Sequence, residues 1–266
     1  MAAPILFLPH GGGPLPLLNE PNHCGLVKFL ADVSKYLGTP RAILVISAHW
    51  EERVATVSGA RSPEMYYDYY GFPKEAYEVT YPAPGAPQLA SDIVSMIERQ
   101  GLEARIDPDR GFDHGTFVPL KLIYPEADVP VVQLSLVNDL TPRAQIDMGK
   151  AIADLSHQDV LIVGSGLSFH NMSILKGQDQ SAAQKSEAFD SWLNDVVVNT
   201  ERSWADKEKA LLNWEAAPYA RFCHPREEHL LPLHVCFGAA QKVGLLARNV
   251  FDERLLGVKI SGFLWK

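Results

Sequence analysis

Cysteine is scarce in this chain: Cys24, Cys223 and Cys236 are the three present in 266 residues, and no two stand in a C-x-x-C spacing. That argues against a disulfide framework and a thiolate zinc site, and it fits a reducing compartment. Long apolar runs are missing too. No stretch approaches the roughly 18 consecutive apolar residues of a membrane span. Basic charge is in deficit, with 24 Lys and Arg against 32 Asp and Glu, so nothing points to a nucleic-acid surface. Met1-Ala2-Ala3 leads directly into a strand-like run without the basic start of a signal peptide, and a cytoplasmic protein is expected. There is no internal repeat, no low-complexity segment and no Pro/Gly/Ser linker, so residues 1–266 are expected to form one domain.

Apolar residues make up 47% of the chain, enough for a sizeable core. They fall into short runs that alternate with helical patterns. Strands are expected at about 4–9, from 42 to His49, over Arg53–Ser58 and Leu102–Ile106, then over Val129–Leu136, Val160–Gly164 and Lys259–Leu264. Helices are expected around Leu26–Val33, over Pro87–Gln100 and Val118–Ile123, and from Thr141-Pro142, a good cap and first-turn pair, to about His157. More helices are expected at about 182–200, at 204–214 and from about His229. This alternation predicts an α/β fold with a largely parallel or mixed central sheet flanked by helices. Between them lies Arg61–Gly85, rich in Tyr, Pro and Gly and without helical or strand period, which reads as an ordered functional loop.

The histidines are placed more tellingly than they are numbered. Two apolar runs end in His10 and His49, and a third, Val160–Gly164, leads through a short Ser/Gly link to His170. In open α/β sheets ligands bind beyond the carboxyl ends of the strands, so these imidazoles are expected to meet in one crevice. Imidazole nitrogen suits Zn, Fe, Cu or Ni. His23 and His157, beside polar turn residues, are expected at the solvated surface, and His234, within an apolar helix, in the core.

Near the C-terminus comes His224-Pro225-Arg226-Glu227-Glu228-His229. Glu227, Glu228 or His229 can each complete a metal site. Two His and a carboxylate would favour Fe(II), whereas three His would favour zinc or iron. Pro232 fits a first helical turn, which puts His229 at a helix start facing the crevice. Gly11-Gly12-Gly13 lacks the GxGxxG and GK[ST] patterns of phosphate loops. Gly164-Ser165-Gly166 departs from the GxSxG nucleophile turn, because its glycines flank the serine directly.

Taken in order, His10-Gly11-Gly12, Ser47-Ala48-His49-Trp50, Tyr67-Asp68-Tyr69-Tyr70-Gly71-Phe72-Pro73, Asp113-His114-Gly115, Gly164-Ser165-Gly166 with His170-Asn171, and the 224–229 cluster form a pattern that resembles the DOPA 4,5-dioxygenase family. That family belongs to the class III extradiol ring-cleavage dioxygenases (LigB-like). The resemblance spans nearly the whole chain. It implies a non-haem Fe(II), or Zn(II) in the same site, held by His10, His49 and His229, with His170 as acid/base. It also implies that His114 lies in the substrate pocket. More distant relatives use Glu as the third ligand, which keeps Glu228 in view beside His229. Members often have His-Gly-Ser-Pro where this chain has His10-Gly11-Gly12-Gly13-Pro14.

The expected reaction is O2-dependent opening of a catechol ring beside its diol. Tyr and Phe of the loop 66–81 are expected to wall the ring pocket. Tyr70, His224 and Arg226 join His114 as expected substrate contacts, with Arg226 or a nearby Arg able to pair with a substrate carboxylate. DOPA is then one candidate among several catechols. Two rivals remain at this level: a zinc hydrolase using a three-histidine site and its activated water, and a metal- or aromatic-binding module without turnover.

Overall fold

The computed structural model of the chain describes residues 2–175 and 181–266. Among these, eight strands form a single sheet: β1 (Ile5–Pro9), β2 (Ala42–Glu52), β3 (Ala55–Ser58), β4 (Ala104–Asp107), β5 (Val131–Val137), β6 (Val160–Gly166), β7 (Ala247–Leu255) and β8 (Val258–Trp265). They stand in the order β4-β3-β5-β2-β6-β1-β8-β7. The centre, β5-β2-β6-β1, is parallel. Antiparallel pairs join β3 to β5, β8 to β1 and β7 to β8. The sheet is therefore mixed. All residues of β1 and β6 are buried, as strands covered on both faces must be.

The flanking helices are α1 (Cys24–Leu37), α2 (Pro87–Arg99), α3 (His114–Ile123), α4 (Pro142–Ile152), α5 (Met172–Leu175), α6 (Ala182–Val198), α7 (Trp204–Leu212), α8 (Ala220–Cys223) and α9 (Leu231–Val243). None of the described helices is long and apolar enough to cross a membrane. Helix α9 is buried all round from Leu231 to Ala240, the pattern of a core helix. It lies against α4, β6 and β1. Two glycines allow that approach. A Cβ on Gly238 would stand 2.1 Å from the Ile146 carbonyl oxygen, and one on Gly149 2.1 Å from that of Val235. The two helix backbones are thus in direct contact.

Several boundaries differ from the sequence expectations. Strand β2 runs past His49 to Glu52, with its register against β5 shifting between Ile46 and Glu51. Helix α3 begins at His114, four residues earlier than its apolar run, because the Asp113 side chain caps it by accepting from the Thr116 amide. Helix α4 stops at Ile152 and continues to Gln158 as a 3-10 turn. Strand β7 lies outside the sequence expectations altogether. Its run Asp252-Glu253-Arg254 is exposed on the sheet edge, and edge strands carry such charges to avoid pairing with other chains.

In an ordinary helix interior Gly→Ala stabilises by up to ~1 kcal/mol. Gly238→Ala is expected to reverse that sign and destabilise by about 1–3 kcal/mol through overpacking against α4. The urea midpoint of the variant is the measurement; a rise would refute the direct backbone contact.

Candidate active site and metal centre

Strand β6 sits between β2 and β1 and runs parallel to both, so their three carboxyl ends are adjacent. His10 directly follows β1, and His49 lies near the end of β2. The chain leaving β6 reaches His170, whose amide donates to the Cys223 carbonyl at 2.9 Å. His229 arrives from elsewhere, just before α9. Its carbonyl accepts from the Leu167 amide at 2.9 Å. A Cβ on Gly166 would stand 2.2 Å from that carbonyl oxygen, and one on Gly164 2.7 Å from that of Pro232. The glycines around Ser165 therefore seat the start of α9 on β6, a physical reason for their presence that has nothing to do with a nucleophile turn.

The rings of His10, His49 and His229 are mutual neighbours, with centroids 4.9, 5.3 and 4.8 Å apart pairwise. His114 lies 3.8 Å from His49, and His170 stacks on His229 at 3.4 Å with planes 16° apart. Two neighbouring groups have ligand atoms within 4.8 Å of one another: His10, His49 and His114, and His170, Glu228 and His229. The Nε2 atoms of His10 and His49 face each other at 3.1 Å.

Buried oxygens orient the rings. Ser165 donates its one hydroxyl proton to the Gly115 carbonyl, so its oxygen is left to accept from Nδ1–H of His10 at 3.1 Å. That tautomer leaves Nε2 of His10 with a free lone pair. Nδ1 of His229 donates to Glu228 at 2.8 Å, and the same carboxylate oxygen lies 3.1 Å from Nδ1 of His170. Asp68 accepts from the backbone amide of His114 at 3.0 Å and from its Nδ1 at 2.8 Å, and reaches to 3.6 Å from Nδ1 of His49. Imidazoles whose outer nitrogen is held by an oxygen are the usual architecture of a metal ligand set.

Burial pushes the pKa of His10, His49 and His229 well below the ordinary imidazole value, and neighbouring imidazoles push the same way. At His49 the Asp68 charge opposes this without reversing it. Neutral imidazole is the form that binds a metal. Burial raises the pKa of Asp68 and Glu228, but the hydrogen bonds from His114 and His170 outweigh it, so both carboxyls stay ionised below their usual range. The donor set thus fits a borderline cation such as Fe(II) or Zn(II).

Above the cluster opens a cavity of about 750 Å³. The aromatic loop supplies Asp68, Tyr69, Tyr70 and Phe72 to it. The loop is ordered by its own tyrosines: Tyr67 donates to the Val79 carbonyl at 2.7 Å and Tyr69 to that of Ala76 at 2.6 Å. Tyr70 stands at the rim, 92% exposed.

Three sequence expectations need correction. His224 is buried outside the cavity lining, bonded through Nε2 to the Ser168 carbonyl at 2.9 Å and packed against Phe189 and Trp214. Burial lowers its pKa to about 3. Arg226 also lies outside the lining, its guanidinium spent on both oxygens of Glu51. His23 is fully buried rather than solvated. It takes a 3.1 Å hydrogen bond from the Gly12 amide and meets Glu20 at 2.6 Å, bracing the turn after His10. His157 is exposed and His234 is a core residue bonded to the Leu211 carbonyl, as expected.

Asp68 and Ser165 are the orienting residues that sequence reasoning passes over as such. Both stand inside the motifs quoted above, but a hydrogen bond across 46 or 155 residues leaves no local signal. Asp113 is a third. It accepts from Ser47 at 2.7 Å and from Arg110 at 2.8 Å, while Arg110 is held between the Trp50 and Tyr66 rings.

His10, His49 and His229 have folded pKa values below the roughly 6.5 of the unfolded chain. The unfolded chain therefore takes up protons first as pH falls, and metal-free protein should lose stability below about pH 6.5. The slope is up to ~1.4 kcal/mol per pH unit for each such histidine. Urea unfolding in chelator at pH 7.5, 6.5 and 5.5 measures it; a flat profile would contradict a neutral buried cluster.

The family described as the catalytic LigB subunit of aromatic ring-opening dioxygenase matches residues 6–262. The chain is 38% identical to dioxygenase tasH of Hapsidospora irregularis, over 99% of this chain and 85% of that protein. It is 41% identical to 4,5-DOPA dioxygenase extradiol of Beta vulgaris, over 76% of this chain and 74% of the relative. An uncharacterized protein of Escherichia coli K12 has a similar crystal structure, with a TM-score of 0.79 and 26% identity, covering 98% of this chain and 99% of that one. The histidine-lined strand ends and these likenesses agree: the chain belongs to the LigB family of aromatic ring-opening dioxygenases and is an extradiol dioxygenase.

Proposed function

We propose that this protein is a non-haem Fe(II)-dependent dioxygenase that opens the ring of a catechol beside its two hydroxyls. His10, His49 and His229 hold the metal, with Zn(II) able to occupy the same three nitrogens. The observation that carries this reading is the set of three mutually adjacent, neutral imidazoles lining the cavity. A metal held there would supply Lewis-acid chemistry towards adjacent ring hydroxyls and O2. Glu228 acts behind His229 rather than in its place, because its Oε1 already receives both His229 and His170. Relatives named for 4,5-DOPA keep DOPA among the candidate catechols.

The chain's own residues do the proton work. With Nδ1 of His170 held by Glu228, its Nε2 is the atom free to take a proton from a catechol hydroxyl and return it later. Asp68 fixes His114 by two hydrogen bonds, so the Nε2 of His114 is the atom presented to substrate. Tyr69 and Phe72 wall the aromatic ring, and Tyr70 covers the entrance.

The test is anaerobic loading with Fe(II), followed by oxygen uptake and formation of a yellow semialdehyde-type product with catechols. No uptake with any catechol would refute the reading. His170→Ala should retain metal and lose about 10²- to 10⁴-fold in turnover. His10→Ala and His49→Ala should lose the metal by elemental analysis. Glu228→Gln should weaken metal binding about 10- to 100-fold in chelator competition; unchanged affinity would remove it from the support of His229.

A further inference from the structure

The cavity is chemically uneven. Its imidazoles and Asp68 account for the polar side, while an apolar wall is made by Leu255, Leu256 and Ile260 of the β7–β8 hairpin and by Met172 and Leu175 of α5. No Lys or Arg stands among its described lining residues. Arg226 is tied to Glu51 and Arg110 to Asp113. A substrate carboxylate would find no cationic partner among the described residues of these walls, and Asp68 would repel it.

The hairpin reaches the site for a topological reason. β8 runs antiparallel to β1, with Phe7 opposite Phe263. The start of β8 and the hairpin tip therefore project beyond the carboxyl end of β1, where His10 stands. Leu255 pairs with Val258, leaving a two-residue turn of Leu256 and Gly257 with φ of 52° and 86°. Positive φ at both positions is the type I′ pattern, which favours Asn, Asp or Gly at the first. A leucine there is strained. Among the described non-glycine residues with positive φ, Leu256 is the one that lines the cavity. Ala127, Leu140 and Tyr219 share this backbone region away from the cavity, so it is the place of Leu256 in the lining that makes its strain informative.

We propose that the ring substituent of the catechol is uncharged and apolar, an alkyl or aryl chain, and that Leu256 is the specificity residue that grips it, retained at the cost of an unfavourable turn. This rests on the catechol reading above. It sets the substrate apart from DOPA, whose zwitterionic side chain the wall does not match.

Fe(II)-loaded protein is titrated anaerobically with catechol, 4-butylcatechol and DOPA, and oxygen uptake is then measured with each. Each buried methylene is expected to tighten binding about 4-fold, the equivalent of about 0.8 kcal/mol, so 4-butylcatechol should bind at least ~10-fold more tightly than catechol and DOPA no more tightly. Leu256→Asn suits the turn, so its Tm should hold or rise by about 2 °C, while the 4-butylcatechol-to-catechol affinity ratio falls at least ~5-fold. Leu256→Met should keep the ratio. DOPA binding more tightly than 4-butylcatechol, or a ratio unchanged in Leu256→Asn, overturns the proposal; a lower Tm in that variant overturns the strain within it. Binding with these ratios but no oxygen uptake leaves the pocket assignment supported and refutes the dioxygenase reading instead. No binding of any of the three overturns both.

Discussion

The insertion of β6 between β1 and β2 is the constraint on which the site depends. Parallel ladders on both edges of β6 bring three carboxyl ends level, and that alignment places His10, His49 and the path to His170 within one crevice. Burial of these strands on both faces makes the ladder rigid, since close-packed interiors resist small displacements. Gly164 and Gly166 extend the same constraint to the fourth approach. By letting the start of α9 touch β6 backbone to backbone, they bring His229 to the others. The contact between α9 and α4 through Gly149 and Gly238 then fixes the helix from behind.

Position alone does not make a ligand. Each ring also needs its outer nitrogen held, its inner nitrogen bare and its charge suppressed. Ser165 and Glu228 supply the first two for His10 and His229, and Asp68 leans towards His49. Burial supplies the third, since a charged imidazole loses its hydration there. Glu228 joins two jobs in one carboxylate, because the oxygen that orients His229 also meets His170. The proposed metal support and the proposed proton carrier are coupled through a single residue.

The apolar wall shows the opposite trade. Around the histidines buried oxygens orient the rings, but at the hairpin tip a leucine occupies a turn position that suits asparagine or glycine. Natural proteins break local rules mainly at functional sites. The β7–β8 edge thus serves twice, as a charged outer rim facing solvent and as an apolar lip over the cavity.

Much of this was legible in sequence. Apolar runs ending in His10 and His49 marked buried strands and the crevice beyond them, because burial on both faces demands unbroken apolar residues. The Tyr-rich loop was recognisable as ordered, and the motif order pointed to the family. Strand order was not legible: nothing local says that a strand starting at Val160 enters between two that precede it by more than a hundred residues. Nor could spacing show that His224 faces away, that Arg226 is consumed by Glu51, or that His23 is buried under the glycine turn. The sequence by itself determined which residues can bind metal, carry protons and form strands, since those are properties of side chains and local pattern. Tertiary structure alone decided which of them meet, because hydrogen bonds and charge coupling depend on distances of a few ångströms between segments remote along the chain.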